Sequence, residues 1–201
     1  MLKTNKSIPW SYSSITLFQQ CPKKYYHLRV AKDIVEPETE VLLYGTRVHE
    51  AAEKFVRDGE DLPPEFSQFH PPLEKLRDMP GEKYCEHKMG ITERGEPCEF
   101  FSPQVWLRGV ADLIVVDGDK ARIIDYKTGK SAKYADTKQL DLMALCTFAH
   151  FPQVNEIKGG LLFLVCHDLV KRSYTRDDVL GIMRDWTATV SYTHLTLPTK
   201  A

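Results

Sequence analysis

Two aspartates and a lysine stand on a predicted β-hairpin, where their spacing could hold a metal ion. The segment Leu107–Gly129 consists of two runs of alternating residues, separated by the turn dipeptide Gly118-Asp119. Gly-Asp is a two-residue hairpin signal, so the runs are predicted to pair as antiparallel strands. In that register Asp112 lies opposite Asp125 on the same face, with Cβ atoms about 5 Å apart. Lys127 follows one step further along this face, because side chains repeat every two residues in a strand.

Two carboxylates at such a distance repel each other, and the pKa of one should rise unless a cation lies between them. Hard oxygen ligands suit Mg²⁺ or Mn²⁺, which are usually held by one or two carboxylates together with water and phosphate oxygens. A lysine beside this cation could hold a phosphate or help to activate water. The alternative is a solvated hairpin with exposed charges, and an Asp-x-Lys pattern alone does not separate the two.

Two upstream elements could bring further ligands to the hairpin. Val41 to Arg57 has apolar residues at helical spacing and predicts a helix with His49 beside its apolar stripe. His49 is either a packed core residue or a metal ligand through a neutral ring nitrogen. Glu82 to Ile91 alternates as a strand, and Glu86 could point at the aspartates or be a surface charge.

Near the N-terminus, Ser13 is predicted to cap a short helix that ends near Gln20, and Pro22 ends this helix or opens the next. A cluster of basic and aromatic residues follows, which could bind a nucleic-acid strand by ion pairing and stacking. The alternative is an amphipathic helix with packed tyrosines and solvated lysines. The cluster consists of Lys23, Lys24, Tyr25 and Tyr26, and Lys130 adds a positive charge in a basic loop after the hairpin.

Three further elements are predicted in the second half of the chain. Asp136 to Phe148 has a helical pattern, with Gln139 on its first turns. Gly159 to Cys166 is a continuous apolar run, typical of a strand covered on both faces. Thr175 and Asp178 have the spacing of a capping box, with Asp in the usual Glu place, so a helix should begin there.

Length and composition indicate an ordinary globular domain. The chain has 201 residues and a formal net charge of −1, so any nucleic-acid contact must be a local patch. We expect no membrane span, because no apolar run approaches 18 residues, and no secretory signal at the N-terminus. The five cysteines are scattered without a C-x-x-C pair, which favours reduced thiols and a cytoplasmic location.

The last residues differ in character from the rest of the chain. Val190–Thr199 resembles the conceptual translation of a common transposon-end sequencing adapter. We therefore expect one domain over residues 1–188, truncated at its C-terminus, and a cloning or assembly scar over residues 189–201. The alternative is a genuine C-terminal strand rich in Thr and Leu.

The order of these pieces resembles the RecB-like branch of the PD-(D/E)XK nuclease superfamily, and in particular its small phage or bacterial exonuclease-like members. The resemblance covers Ser11 to about Phe163. Five segments carry it: Ser11-Tyr-Ser-Ser-Ile-Thr-Leu-Phe-Gln-Gln-Cys-Pro-Lys-Lys-Tyr-Tyr; Gly45-Thr-Arg-Val-His-Glu; Glu86 on a strand; Gly109-Val-Ala-Asp-Leu-Ile followed by Ile124-Asp-Tyr-Lys-Thr-Gly-Lys; and Gln139-Leu-Asp-Leu-Met.

The resemblance implies an α/β fold of the restriction-endonuclease type, in which a central mixed β-sheet with an antiparallel catalytic hairpin is flanked by α-helices. It also implies roles for individual residues. Lys127 would be the catalytic lysine, Gln139 would lie near the site and the DNA, and Glu86 would be a further acid at the site. The tyrosine of the family's Gln-x-x-x-Tyr helix is replaced here by Met143. The implied metal ligands are His49, Asp112, Asp125 and the backbone carbonyl of Tyr126.

By this resemblance the chain would be a metal-dependent DNA nuclease, more specifically an exonuclease acting in recombination, repair or phage replication, with a helicase or recombination protein as partner. A second hypothesis is a DNA-binding protein that has kept the fold but does not cleave. A third is an unrelated α/β protein with an incidental acidic hairpin. Some relatives carry an iron–sulfur cluster, and Cys21 matches its first ligand, but this chain has no clustered cysteine trio. We therefore expect Cys21 to be a packed structural residue.

Overall fold

The computed structural model describes residues 8–196, and for residues 192–196 the backbone alone. The strands are β1 (Glu82–Ile91), β2 (Pro97–Cys98), β3 (Leu107–Asp117), β4 (Lys120–Lys127), β5 (Glu156–Phe163) and β6 (Asp168–Thr175). The helices are α1 (Tyr12–Gln20), α2 (Pro22–Tyr25), α3 (Glu40–Asp58), α4 (His70–Arg77), α5 (Lys138–His150) and α6 (Val179–Thr196). A π-helical turn over Tyr26–Ala31 and 3₁₀ turns over Pro64–Phe69 and Arg176–Asp178 complete these elements.

The strands form one mixed sheet in the order β2-β1-β3-β4-β5-β6. β4 and β5 are parallel, and the other neighbouring strands are antiparallel. The parallel pair requires a crossover, which α5 provides between the two strands. The predicted fold class is confirmed: a central mixed sheet with an antiparallel hairpin, flanked by helices.

Helices cover both faces of the sheet and bury two separate apolar clusters. The cluster on the face that we call the α5 face joins β1, β3, β4 and β5 to α1, α5 and α6. The cluster on the opposite α3 face joins α3 and α4 to β3 and β4. Strands β3 and β4 contribute to both clusters, which explains why their sequences are almost continuously apolar away from the site. The hairpin is therefore clamped between two layers of helices.

The predicted register of the β3–β4 hairpin is confirmed. Val116 pairs with Ala121, and Leu113 pairs with Ile124. Gly118 in the turn has φ 60°, a left-handed conformation that glycine adopts without steric cost. A two-residue turn thus fixes the pairing of the whole hairpin, up to the position where the two aspartates follow.

The prediction that Asp112 and Asp125 share one face is wrong. Ala111 and Ile114 are three residues apart on β3, yet both belong to the α5-face cluster, so the two-residue alternation is interrupted between them. The interruption lies beside Glu86 on β1, which has φ 47°, in the left-handed region that a glutamate rarely adopts. As a result, Asp112 contacts His49 of α3, whereas Asp125 bonds to Gln139 of α5.

Several local predictions are confirmed and two are corrected. The helix with His49 and the strand with Glu86 lie where the sequence places them, and Pro22 opens α2. The cap of α1 is Ser11 rather than Ser13, because Ser11 has extended backbone and forms a reciprocal capping box with Ser14. Strand β6 has no counterpart among the sequence predictions, since it is a largely exposed edge strand without apolar alternation.

The C-terminal helix begins as predicted, with a capping box between Thr175 and Asp178. It continues to Thr196, so the alternative of a strand is wrong for residues up to 196. Val190 is buried in the α5-face cluster. A domain boundary at residue 188 stays a prediction, and residues 197–201 of the expected scar lie outside the described residues.

Among the helices that the structure describes, none is both long enough and apolar enough to cross a lipid bilayer.

Candidate active site

A histidine and two carboxylates from three different elements come together at the end of the hairpin. One ligand atom each from His49 of α3, Glu86 of β1 and Asp112 of β3 lies within 4.8 Å of the others. Nδ1 of His49 is 3.3 Å from a carboxylate oxygen of Asp112. We call these three residues the donor group. One imidazole and two carboxylates are donors that suit Mn²⁺ or Mg²⁺, so the residues present fit a divalent cation.

The packing of α3 fixes the position of His49. Val48 and Ala52, on either side of it along the helix, are buried in the α3-face cluster. The imidazole packs edge-on against the buried ring of Tyr126, with centroids 5.8 Å apart. The histidine side chain keeps 31% of its surface exposed, so it is held by packing while one side of the donor group stays open to solvent.

The charges of the donor group shift the pKa values of its members. Burial lowers the pKa of His49, but the hydrogen bond and charge of Asp112, with the charges of Asp125 and Glu86, outweigh it and raise the pKa above its ordinary value. Burial first, and then the neighbouring charge of Asp112, raises the pKa of Glu86. A cation would relieve this crowding of negative charge.

A second group lies directly beside the first and consists of Asp125, Lys127 and Gln139. Nζ of Lys127 is 2.6 Å from Oδ2 of Asp125 and donates a hydrogen bond of 2.7 Å to Oε1 of Gln139. The amide nitrogen of Gln139 donates to the other oxygen of Asp125. Gln139 therefore bonds to both the carboxylate and the ammonium group and fixes their relative position. We call these three residues the lysine group.

Asp125 is almost completely buried, at 5% exposure. Burial, and next the negative charge of Asp112, raises the pKa of its carboxyl group, while Lys127 opposes the shift. A raised pKa in a residue with specific charged neighbours is typical of functional sites.

Asp112 connects the two groups. One of its oxygens faces His49, and the other accepts a hydrogen bond of 2.6 Å from the backbone N–H of Tyr126, which lies between Asp125 and Lys127 in the chain. The backbone pairing of β3 with β4 ends at Leu113. Beyond this point the hydrogen bond from Tyr126 to Asp112 joins the two strands. The spacing between the donor group and the lysine group is therefore set by a single buried carboxylate.

The residues that the sequence analysis predicts as metal ligands thus fall into two neighbouring groups. His49 and Asp112 are together, and Glu86 joins them. The carboxylate of Asp125 instead bonds to Lys127 and Gln139. The backbone carbonyl of Tyr126 stays a predicted ligand. Met143, in the family's tyrosine position, is buried, and the structure places its methyl group where a Cβ of Gly109 would lie, so this side chain serves packing.

The predicted nucleic-acid cluster divides into surface and core residues. Lys23 and Lys24 are exposed, Lys24 pairs with Glu36 at 2.6 Å, and Tyr26 is half-buried. The prediction for Tyr25 is wrong, because its ring is fully buried and stacks on Trp10 with a centroid distance of 5.2 Å. Lys130 is exposed in the loop after β4.

Cys21 differs from its predicted packed role. Its side chain is exposed, and its sulfur accepts a hydrogen bond of 3.4 Å from the backbone N–H of Lys24. It therefore caps α2 at the surface, in the place that Ser, Thr or Asp usually occupies.

Sequence reasoning did not identify Arg108 and Phe100 as site residues. Both line a cleft of about 670 Å³ that also includes Lys127 and Gln139. Arg108 stands two residues before Val110 in the hairpin, and Phe100-Phe101 is an apolar pair within a polar connection. This pair is the feature of the sequence that could have indicated the cleft, because adjacent apolar residues in a polar loop often have a packing or binding partner.

Comparison with known proteins gives a consistent result. The sequence profile of the PD-(D/E)XK nuclease superfamily matches residues 9–165. No curated protein matches the sequence significantly. The structure of a candidate exonuclease from Eubacterium rectale is similar, with 14% identity, a TM-score of 0.51, and coverage of 92% of this chain and 81% of that one. The structure of SSO0001 is 12% identical, with a TM-score of 0.43 and coverage of 90% and 70%. Such low identities establish similarity of fold alone.

Proposed function

The chain belongs to the PD-(D/E)XK nuclease superfamily, and we propose that it is a Mg²⁺- or Mn²⁺-dependent deoxyribonuclease that hydrolyses phosphodiester bonds of DNA as an exonuclease. The observation that carries this proposal is the junction of the two groups through Asp112. The same carboxylate contacts His49 of the donor group and holds the backbone between Asp125 and Lys127.

In this proposal His49, Glu86 and Asp112 hold the divalent cation, with Asp125 at its edge. When bound, such a cation supplies Lewis acidity to the phosphate and lowers the pKa of a water molecule. The donor set has the negative charge that a dication needs, and the open side of His49 leaves room for substrate oxygens. The raised pKa values of His49 and Glu86 reflect the negative charge around them, which a cation would offset.

Lys127 contributes a positive charge at the place where the phosphate is cleaved. Its ammonium group has three donors, of which one is taken by Gln139 and one by Asp125. The third can hold a phosphate oxygen or the attacking water. Because Gln139 and Asp125 hold Nζ before substrate arrives, little reorganisation is needed in the transition state.

The finer features of the proposal concern where the enzyme acts. We place it in the cytoplasm of a bacterial or phage-infected cell, in recombination, repair or phage replication, with a helicase or recombination protein as partner. Exonuclease action draws support from the similar fold of the Eubacterium rectale protein and from the RecB-like order of motifs.

The test is degradation of end-labelled linear DNA in the presence of Mg²⁺ or Mn²⁺. Wild type should degrade the DNA, and EDTA, Asp125→Ala and Lys127→Ala should each abolish the activity. Lys120→Ala is a matched control, because Lys120 is an exposed lysine on the same strand as Lys127. DNA binding without degradation by the wild type would instead favour the non-cleaving alternative. Release of mononucleotides from an end, rather than internal cuts, identifies exonuclease action.

A further inference from the structure

The cleft beside Lys127 has features that the cleavage chemistry does not require. It is bounded by α1, by the first part of β3 and by the loop that contains Phe100, and it reaches Lys127 and Gln139 at one end. Ser13 and Thr16 of α1, together with its cap residue Ser11, contribute hydroxyl groups. A groove of hydroxyls that ends at a catalytic lysine has the chemistry to follow a sugar–phosphate backbone.

Backbone hydrogen bonds attach α1 to this side of the sheet. The N–H of Trp10 donates to the carbonyl of Trp106 at 2.8 Å, and the N–H of Arg108 donates to the carbonyl of Trp10 at 2.9 Å. Trp10 itself is buried in the α5-face cluster. These bonds hold the segment just before α1 against the strand that carries Arg108.

Among the side chains that the structure describes, no acidic group neutralises the positive charge of Arg108. Its guanidinium lies over the ring of Phe100, 4.6 Å from the centroid, and Nη1 donates to the carbonyl of Phe100 at 3.3 Å. Within residues 8–191, no carboxylate of the structure lies at ion-pair distance from it. The planar group is fixed by stacking while its remaining donors stay free, which is the geometry in which arginine binds phosphate.

Phe101 lies next to Phe100 at the edge of the cleft and has an exposed aromatic face. Its side chain is 76% exposed, its ring packs edge-on against Phe100 at 4.9 Å, and the guanidinium of Arg108 lies 5.8 Å from its centroid. An exposed ring beside an arginine can stack against a ligand that has an apolar planar face. Nucleobases present such a face when they are unpaired.

We propose that this cleft is the entry groove for single-stranded DNA, in which a base stacks on Phe101, Arg108 binds a phosphate, and α1 guides the strand to Lys127. The proposal rests on the proposed nuclease function and adds a strand preference to it. Duplex DNA keeps its bases stacked on one another, so a double helix can offer Phe101 no base face except at an end. Single strands and overhangs should therefore bind in preference to blunt duplexes.

The test measures binding separately from cleavage. Fluorescence anisotropy of labelled oligothymidylate, and of a blunt duplex of equal length, is recorded in EDTA, where the proposed nuclease is inactive. Phe101→Ala should weaken single-strand binding about tenfold, in line with the loss of one base stack, and should leave duplex binding unchanged. Leu180→Ala, an equally exposed apolar residue on α6, is the matched control and should have no effect.

A second pair of variants separates stacking from charge. Arg108→Lys keeps the positive charge but loses the planar fork, so it should weaken binding, whereas Lys171→Ala on the distant edge strand β6 should not. Stacking quenches the fluorescence of 2-aminopurine. A single strand that contains this base should therefore lose fluorescence when it binds the wild type, and should lose much less when it binds Phe101→Ala.

The outcomes distinguish the two proposals. Phe101-dependent binding of single strands without any degradation would support the groove and contradict the nuclease. Degradation of DNA together with wild-type single-strand affinity in Phe101→Ala and Arg108→Lys would contradict the groove and leave the nuclease intact. Equal loss of single-strand and duplex affinity in Phe101→Ala would also contradict the groove.

Discussion

Nδ1 of His49 lies 3.3 Å from the carboxylate of Asp112, which joins the helix on one face of the sheet to the central hairpin. The same carboxylate accepts the backbone N–H of Tyr126. A residue that only stabilised the hairpin would need only the hydrogen bond from Tyr126. The combination makes Asp112 the common member of the donor group, which could hold a metal ion, and of the contacts that fix the backbone beside Lys127.

The raised pKa of His49 predicts that the metal-free protein loses stability as the pH rises. A group whose pKa is higher in the folded than in the unfolded state stabilises fully below the unfolded pKa, and this contribution disappears as the pH passes the folded pKa. The melting temperature in EDTA should therefore fall between about pH 6 and pH 8, near the ordinary histidine range. In His49→Gln the fall should be smaller.

Manganese should reverse this pH dependence, because the metal binds the unprotonated imidazole and competes with the proton. Thermal unfolding with and without Mn²⁺ at the two pH values measures both effects. An identical fall in wild type and His49→Gln in EDTA would show that the pKa of His49 has no part in it.

Glu86 should cost stability in the metal-free protein. Its left-handed backbone, at φ 47°, is unfavourable for a glutamate, and its carboxylate is crowded by Asp112. Glu86→Gly should raise the free energy of unfolding in EDTA by about 1 kcal/mol and should weaken Mn²⁺ binding. Urea unfolding and calorimetric titration measure the two quantities.

The matched control is Lys88→Gly, two residues further along β1 without a positive φ. There glycine should be destabilising by roughly 0.5–1 kcal/mol. If both glycine substitutions destabilise the protein alike, strain at Glu86 is not the cause.

Gln139 should act as a positioning residue for Lys127. Gln139→Leu removes the hydrogen bonds to both Lys127 and Asp125, so Lys127 loses its fixed position. We expect kcat for DNA degradation to fall by roughly 10- to 100-fold, with little change in KM or melting temperature. Gln19→Leu on the exposed side of α1 is the control. A rise in KM at constant kcat would instead place Gln139 in substrate binding.

Gly109 should couple energetically to Met143. A Cβ at Gly109 would lie 1.9 Å from Cε of Met143, so Gly109→Ala forces this side chain to move, at about 1–3 kcal/mol. Met143→Ala leaves a cavity and costs about 2–5 kcal/mol. The double variant should lose less stability than the two losses combined, because the new methyl group occupies part of the cavity. Strict additivity in urea unfolding would contradict this packing.

The parts of the fold that local rules govern follow from the sequence. The Gly118-Asp119 turn sets the register of the hairpin, and helical spacing places His49 on α3. The alternation of residues predicts strand β1, which carries Glu86. These features depend on neighbours in the chain, which a single sequence contains.

The division of the site into two groups depends on tertiary contacts. The interrupted alternation between Ala111 and Ile114 turns Asp112 toward α3 and away from Asp125. Neither the residue types nor their spacing predicts this interruption, because a glutamate such as Glu86 has no special preference for positive φ. The burial of Tyr25 and the pairing of Arg108 with Phe100 likewise arise between segments that are distant in the chain.

Binding of Mn²⁺, measured by isothermal titration calorimetry without DNA, tests the central claim most directly. Wild type should bind the ion, and Asp112→Asn should lose affinity by roughly tenfold or more. Asp119→Asn in the exposed hairpin turn should bind as the wild type does. Equal Mn²⁺ affinity in Asp112→Asn and wild type, or no binding by either, would contradict a metal centre formed by His49, Glu86 and Asp112.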